Sequence, residues 1–220
     1  MNPFPDRDLR QRAILPPERL ASCRATVIGV GAIGRQVALQ LASIGVPVLQ
    51  LIDFDTVEPV NLAPQGYLEE DLGKLKVEAT AALARRINSQ IAIYTVAEHF
   101  KRSQNTKTGD LIFCCVDSIA TRALIWDAVK STAPFFADAR MSAEVLRILV
   151  ACDTDGRAHY PSTLFAASEA FAGACTAKST VFTANIAAGL LVSALSQYLR
   201  GIPPAPDITL NLLAAELSVK

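Results

Sequence analysis

A glycine-rich turn near the start of the chain constrains its fold more than any other feature. The residues VIGVGAIGRQ, 27–36, place an apolar run, three glycines and the start of a helical pattern in direct succession. Gly29, Gly31 and Gly34 fit the spacing G-x-G-x-x-G, in which the glycines turn the chain, admit a phosphate and let the helix pack. The helix start then offers free N–H groups to an anion. The turn therefore predicts a nucleotide-binding unit, and both NAD and ATP remain open.

Composition and the order of predicted elements define the fold class. Hydrophobic residues make up 51% of the 220 residues, and the formal net charge is zero. Apolar runs alternate with helical patterns in the order β-α-β-loop-α-β-β-α-β-β-α-β, which is typical of a parallel sheet covered on both faces. We therefore expect one Rossmann-like, three-layer α/β domain over residues 1–220, with a mixed, mainly parallel sheet. Because the sequence contains no block of basic residues, we expect no nucleic-acid partner.

Three segments need separate interpretation. Residues 1–22 are charged and contain adjacent prolines, which indicates an N-terminal arm or a short helix. Residues 154–178 are rich in small residues and are interpreted as a crossover loop. The apolar segment from about 179 to 200 is interrupted by polar residues such as Asn185 and Gln197, so we expect a buried helix and no membrane partner.

The chain start and the cysteines indicate a compartment. The start MNPFPDRDLRQR is polar and charged, unlike a secretory signal peptide. The five cysteines are an odd number without a CxxC pair, which favours a reducing compartment and argues against a structural zinc site. We therefore expect a cytoplasmic protein, and we interpret Cys23, Cys114, Cys115 and Cys152 as core residues.

A long polar segment after the second predicted strand bears on the choice of nucleotide. Asp53 ends that strand about twenty residues after the glycines, where an acid binds the ribose of NAD or ATP alike. Its alternative role is to cap a turn. An ordinary dinucleotide-binding fold would enter its next helix soon afterwards, but here residues 54–75 intervene. This favours ATP, and no catalytic Tyr-Lys or His-Asp arrangement of an oxidoreductase is apparent.

Several motifs in register make the sequence recognisable. DFDTVEPVNLAPQ, LGKLKVEA, FCCVDSIATR and DARMSAEVLRILV follow the glycine turn in that order, and RQRAIL precedes it. Together they resemble the ThiF/MoeB/HesA family, relatives of the ubiquitin-activating enzymes. The family signature runs D-x-D-x-V-x-x-x-N-L-x-R-Q, then V-G-x-x-K-V-E-A, then C-x-D-x-x-x-x-R. The likeness covers nearly the whole chain and is greatest to the short, zinc-less bacterial type.

The resemblance implies ATP-dependent adenylation. Such enzymes bind ATP and Mg²⁺ and join AMP to the C-terminal carboxylate of a ubiquitin-like protein whose tail ends in glycine. By motif position, Asp53 would hold the ribose, Asn61 and Lys76 would contact the phosphates, and Asp117 would bind Mg²⁺. Taken singly, Lys76 also suits a solvated helix start and Asp117 a helix N-cap. The other nucleotide-binding candidates are Gly29, Gly31, Gly34, Arg35, Asp55 and Gln65.

The resemblance also implies protein partners. Arg10, within RQRAIL, would reach into the ATP site of a second copy, so we expect a homodimer; the alternative is an exposed arginine on a charged arm. A separate downstream conjugating partner would receive the product. Cys175, near Lys178 and before the last helix, would capture the acyl group as a thioester. Its alternative role is that of a packed, inert side chain.

Two departures from the family pattern bear on function. Pro64 stands where the family has a phosphate-binding arginine, and losing one charge-assisted contact costs about 1.5–3 kcal/mol. The cations that would compensate are Arg35, Arg12 and Lys74. GRAHYPST replaces the first zinc-binding CxxC of the family. His99 and His159 lack metal-ligand neighbours and are interpreted as ordinary surface or loop histidines.

These patterns predict an adenylating enzyme that activates a ubiquitin-like protein. Because Pro64 and the missing zinc site fit a sulfur-carrier role less well, they favour a bacterial ubiquitination-like system with thioester transfer. The alternatives are a sulfur-carrier-protein adenylyltransferase of the thiamin or molybdopterin type, a non-catalytic adaptor for a ubiquitin-like protein, and an NAD-dependent oxidoreductase.

Overall fold

A sheet of eight strands forms the centre of the computed structural model, which describes residues 7–101, 108–165 and 179–220. The strands are β1 (Arg24–Ile28), β2 (Val48–Ile52), β3 (Ala92–Val96), β4 (Leu111–Cys114), β5 (Phe135–Ser142), β6 (Val145–Ala151), β7 (Asp207–Asn211) and β8 (Glu216–Val219). The helices are α1 (Pro17–Leu20), α2 (Ala32–Ile44), α3 (Pro59–Gln65), α4 (Lys76–Ile87), α5 (Ile119–Val129), α6 (Thr154–His159) and α7 (Val181–Leu199). Short 3₁₀ helices cover Glu69–Asp71 and Tyr160–Thr163.

The sheet is parallel on one side and antiparallel on the other. In the order β3-β2-β1-β4-β5-β6-β7-β8, the first five strands are parallel and the last three are each antiparallel to the strand before them. The chain first builds outward from β1 through β2 and β3, and then returns to add β4 on the other side. This reversal creates a switch point between β1 and β4. The predicted mixed, mainly parallel sheet is confirmed.

Two apolar clusters join the sheet to helices on both faces. On one face, α2, α4 and α7 pack through fully buried side chains such as Val37 and Leu191. On the other face, Trp126 of α5 contacts Phe136 and Tyr160 with ring centroids 5.0 and 4.9 Å apart. Because the central strands are covered on both sides, their sequences are continuous apolar runs rather than alternating patterns. The three-layer architecture follows from this burial.

Two segments contain more regular structure than the sequence predicted. The loop predicted over 154–178 begins with α6 and a 3₁₀ helix, because the Asp153 carboxylate accepts a hydrogen bond from the Gly156 N–H at 2.8 Å and caps α6. Residues 166–178 lie outside the described part of the chain. The single closing strand predicted near the C-terminus is a hairpin of two strands, β7 and β8.

A charged cluster ties α6 to β6 and β7. Asp207 accepts hydrogen bonds from Arg147 at 2.9 and 2.7 Å, and its carboxylate lies 2.8 Å from His159 Nε2. His159 is therefore a partner of a buried carboxylate and not the ordinary surface histidine predicted. Burial raises the pKa of Asp207, but the hydrogen bonds from Arg147 and His159 outweigh burial and hold the pKa below its ordinary value.

The N-terminal arm packs at the C-terminal end of α2. Arg7 donates to the carbonyls of Ala42 and Ser43 at 2.9 and 3.0 Å. The Ser196 hydroxyl of α7 donates to the Ile14 carbonyl at 3.1 Å. The arm therefore lies at the opposite end of α2 from the glycine turn.

Helix α7 is the one helix among the described residues that is long and apolar enough to cross a membrane by length and composition. Half of the most apolar stretch of this helix is buried, because the helix packs against α2, β5 and β6. A core helix of a globular domain has the same length and composition. The helix also matches the predicted span of about 179–200.

Candidate functional site

A cavity of about 910 Å³ opens at the carboxyl ends of β1, β2 and β4, beside the start of α2. Open α/β sheets bind ligands at this edge, at the switch point of the strand order. The volume lies within the range of small-molecule sites. The polar and glycine residues that define its chemistry are Gly29, Gly31, Asp53, Asp55, Gln65, Lys76, Glu98, His99, Asp117 and Arg122.

The three glycines have different surroundings. Gly29 has a φ of +84°, and a Cβ atom there would lie 2.8 Å from the Cys115 carbonyl oxygen. A Cβ atom on Gly34 would overlap the Gly29 carbonyl. A Cβ atom on Gly31 would meet only Gln65 Oε1, at 4.0 Å, so this position is open to the cavity. Gly29 and Gly34 are thus required by the protein itself, whereas Gly31 leaves room for a ligand.

The start of α2 has the features of an anion-binding position. Gly31 is its N-cap, no side chain caps the helix, and its first turn contains no acidic residue. The N–H groups of the first turn therefore point towards the cavity without a side-chain acceptor. Gln65 Oε1 is buried near Gly31 and has no hydrogen-bond partner. Turning this amide by 180° would present its NH₂ group as a donor to an anion.

Asp53 joins the glycine turn to the end of β2. One carboxylate oxygen accepts from the Val30 N–H at 2.6 Å, and the other accepts from the Asp55 N–H at 2.9 Å. The second hydrogen bond closes a local turn, which agrees with the alternative role of Asp53 as a residue that caps a turn. A carboxylate has about four acceptor positions, so both oxygens keep capacity for a ribose hydroxyl.

Lys76 is held at the cavity by an ion pair. Its Nζ lies 2.9 Å from Asp55 Oδ2, and its side chain is 7% exposed while that of Asp55 is 45% exposed. The Lys76 N–H also donates to the Asp55 carbonyl at 2.9 Å. These two bonds place a fixed ammonium at the start of α4, where it lines the cavity.

Asp117 presents a carboxylate to the cavity after the end of β4. The Ser118 hydroxyl, and not Asp117, caps α5 by accepting from the Thr121 N–H at 3.3 Å. The alternative interpretation of Asp117 as the N-cap is therefore wrong. Within residues 7–101, 108–165 and 179–220, Asp117 forms no hydrogen bond or ion pair. Its hard oxygens remain available to a cation.

The charges around the cavity are compatible with a nucleotide that binds as a complex with a divalent cation. The described lining contains four carboxylates, but its cations are Lys76 and Arg122 alone. In the described part of the chain, no group of three or more His, Cys, Asp or Glu side chains could hold a metal by itself. Mg²⁺ is commonly bound by one or two carboxylates together with substrate phosphates. Asp117 is the lining carboxylate that could hold such a cation.

Some predicted ligands do not line the cavity. Asn61 accepts from the Glu58 N–H at 2.9 Å and caps its own helix, α3. Arg35 is 3% exposed, with its guanidinium carbon 4.7 Å from the centre of the Tyr67 ring. It lies one turn into α2, with its guanidinium beside Gly66 at the end of α3, and it is not among the residues that line the cavity. Lys74 pairs with a nearby aspartate instead of reaching the cavity.

Two further predicted residues cannot be placed in this cavity. Arg10 is exposed on the N-terminal arm. The arm contacts the last turn of α2, and this 13-residue helix is about 20 Å long at about 1.5 Å per residue. Arg10 therefore does not reach the cavity of its own chain. Cys175, predicted to carry an acyl group, lies outside the described residues, as does Lys178.

Among the lining residues outside the predicted site set, Arg122, His99 and Cys115 bear most on the chemistry of the cavity. Arg122 is buried in the cavity wall, and its place in C-x-D-x-x-x-x-R was the available signal. His99 is exposed in the loop after β3, as predicted for a surface or loop histidine, and it also lines the cavity, where it stacks on Phe54 with ring centroids 3.6 Å apart. Cys115 also lines the cavity. Burial raises its pKa, so this thiol stays protonated, as expected of a core cysteine.

Known proteins are similar in sequence to this chain. A model of the ThiF family matches residues 8–217. The chain is 37% identical over 114 residues to "Adenylyltransferase and sulfurtransferase MOCS3" of Bos taurus, covering 50% of this chain and 25% of that protein. It is 31% identical over 116 residues to "SAMP-activating enzyme E1" of Haloferax volcanii, covering 51% and 43%. The chain thus matches less than half the length of these relatives.

Solved structures share the fold. Escherichia coli MccB, crystallised with AMPCPP and MccA, superposes with a TM-score of 0.73 at 19% identity, covering 92% of this chain and 64% of that one. PaaA superposes with a TM-score of 0.77, also at 19% identity, covering 97% and 68%. At this identity the likeness concerns the fold alone.

Proposed function

Because the chain belongs to the ThiF family, we propose that it is an adenylating enzyme that joins AMP from ATP to the C-terminal carboxylate of a ubiquitin-like protein. The names of the relatives, an adenylyltransferase and an activating enzyme, support this proposal. MccB, which shares the fold, has also been crystallised with ATP.

One observation carries the proposal. The uncapped start of α2 opens at Gly31 into a cavity that is also lined by Lys76 and Asp117. Helix N–H groups, a fixed ammonium and a cation-binding carboxylate are the groups that phosphoryl chemistry requires. An NAD-dependent oxidoreductase would need the first of these, but the sequence shows no catalytic Tyr-Lys or His-Asp arrangement of such an enzyme.

The proposed reaction is a displacement at phosphorus. A carboxylate oxygen of the partner attacks the α-phosphorus of ATP, the bond from that phosphorus to the bridging oxygen breaks, and pyrophosphate leaves with the bonding electrons. Lys76 and the α2 N–H groups would offset charge on the phosphate oxygens, and Asp53 would accept a ribose hydroxyl. Mg²⁺, held by Asp117, would supply further charge neutralisation.

We propose a ubiquitination-like conjugation system as the setting. Pro64, which lies within α3 and lacks both charge and N–H donor, supports a departure from the sulfur-carrier enzymes. The word sulfurtransferase in the name of the MOCS3 relative favours the sulfur-carrier alternative. Mass spectrometry of the activated partner distinguishes them, because conjugation yields an amide or thioester and sulfur transfer yields a C-terminal thiocarboxylate.

We also propose that the enzyme acts as a homodimer. Arg10 is exposed on an arm that lies at the far end of α2 from its own cavity, so it can serve an ATP site only in a second copy. Sedimentation of the purified protein tests this assembly, and a monomer at assay concentration would contradict it.

ATP–pyrophosphate exchange tests the adenylation itself. The assay uses a small ubiquitin-fold protein ending in glycine, to be identified by co-purification with the chain. Exchange that requires this protein and stops when its terminal glycine is removed supports adenylation. Tight binding of the partner without any exchange would instead support the non-catalytic adaptor.

A further inference from the structure

A buried carboxylate lies on β5, next to Ala139, which lines the cavity. Asp138 on β5 is fully buried, and its Oδ2 accepts from the Tyr160 hydroxyl and from Arg140 Nε, each at 3.0 Å. Its other oxygen forms an ion pair with Arg122. Replacing buried ion pairs by apolar side chains is often neutral or stabilising for a fold. Stability alone therefore does not explain why charges are used here.

Arg122 connects this carboxylate to the end of β4. Besides its ion pair with Asp138, its Nη2 donates to the Val116 carbonyl. The next residue is Asp117, whose carboxylate has no hydrogen bond of its own among the described residues. The direction in which Asp117 points therefore depends on the backbone of the turn 115–117.

The glycine turn supports the same backbone from the other side. The Cys115 N–H donates to the Ile28 carbonyl at 2.8 Å, and Gly29 packs so closely that a Cβ atom would meet the Cys115 carbonyl. This support of the turn 115–117 belongs to the pairing of β1 with β4 and needs no charged group. The second support is the hydrogen bond from Arg122 to the Val116 carbonyl, and Arg122 is itself held in place by Asp138.

We propose that Asp138 is a positioning residue that acts through Arg122 to fix the turn 115–117 and thereby orient Asp117 towards the Mg²⁺ of a bound nucleotide. The proposal rests on the proposed function for the role of Asp117. Asp138 itself contacts neither nucleotide nor metal. Groups that orient a metal ligand in this way commonly change metal affinity by about 10- to 100-fold.

Asp207 provides a matched control. Like Asp138 it is a buried aspartate paired with an arginine, with 2.7 Å between Arg147 and its carboxylate. It lies in the same row of the sheet, because Asp138 and Asp207 both pair with Leu149, but it is two strands further from the cavity. Asp138→Asn and Asp207→Asn therefore make the same chemical change at comparable burial.

The first measurement is hydrogen exchange of the peptide covering 113–122, which needs no nucleotide. We expect faster exchange in Asp138→Asn than in the wild type, and no change in Asp207→Asn. The second measurement is the Mg²⁺ concentration that gives half-maximal binding of the fluorescent nucleotide mant-ATP. We expect an increase of about tenfold or more in Asp138→Asn alone.

Unchanged exchange in Asp138→Asn, or equal effects in both variants, would overturn the proposal. If the wild type does not bind mant-ATP, the proposed function fails, and hydrogen exchange alone decides the positioning role. If Asp138→Asn does not fold, the double variant Arg122→Met with Asp138→Leu removes both charges together. Restored folding with a raised Mg²⁺ requirement supports positioning, whereas a wild-type Mg²⁺ requirement would show that the pair serves only the fold.

Discussion

Replacing Lys76 by alanine should separate catalysis from folding. The ammonium is fixed 2.9 Å from Asp55 Oδ2 at the cavity, so it needs no reorganisation when charge develops on the phosphates. Removing one preorganised group of this kind typically costs about 2.7–4 kcal/mol of transition-state stabilisation, or roughly 10²–10³ in rate. We therefore expect Lys76→Ala to lower pyrophosphate exchange about 100-fold or more.

The same substitution should have little effect on stability. The Asp55 side chain is 45% exposed, so solvent screens the ion pair. Such pairs contribute about 0–1 kcal/mol to folding. We expect the free energy of unfolding, measured by urea denaturation, to change by no more than about 1 kcal/mol.

Lys74 is the matched control for this prediction. It lies two residues earlier, and its Nζ pairs with Asp71 Oδ1 at 3.1 Å, with 52% of its side chain exposed. Lys74→Ala removes the same charge from the same segment but should leave exchange nearly unchanged. Near-normal exchange in Lys76→Ala, or equal losses in both variants, would refute the role assigned to Lys76.

Three further outcomes are expected. Gly29→Ala should lose about 1–2 kcal/mol of stability because its φ is +84°, whereas Gly31→Ala should keep its melting temperature and bind ATP more weakly in calorimetry. The reverse pattern would contradict the roles of the two glycines. The pKa of Asp207 is lowered in the folded state, so its carboxylate contributes stability above the unfolded-state pKa and this contribution is lost as pH falls through the folded-state pKa. Below about pH 4, the free energy of unfolding should therefore fall more steeply with decreasing pH in the wild type than in Asp207→Asn. Parallel plots of the free energy of unfolding against pH would contradict this. If Arg10 acts in trans, mixing Arg10→Ala with Lys76→Ala should restore exchange that neither variant supports alone, and no recovery would count against trans action.

Contiguous motifs account for where one part of the cavity lining lies. The glycine turn, Asp53 and Asp117 each lie at the end of a buried parallel strand, and such ends meet at one edge of the sheet. Their positions therefore follow from recognising the strands. Lys76 follows from the start of a helix in the same way.

Side-chain directions and long-range contacts could not be predicted in this way. Arg35 has the right position in α2 but lies against Tyr67, and Asn61 satisfies its own helix end first. His99 reaches the cavity only because the loop after β3 packs beside it. Such contacts depend on the fold as a whole, whereas a motif records only local spacing.

Calorimetry with the nucleotide alone tests the central claim most directly. The purified chain is titrated with AMPCPP in the presence and absence of Mg²⁺, and separately with NAD. We predict Mg²⁺-dependent binding of AMPCPP, weakened in Asp117→Ala, and no measurable binding of NAD. Tight binding of NAD with none of AMPCPP would contradict the assignment of this cavity to ATP.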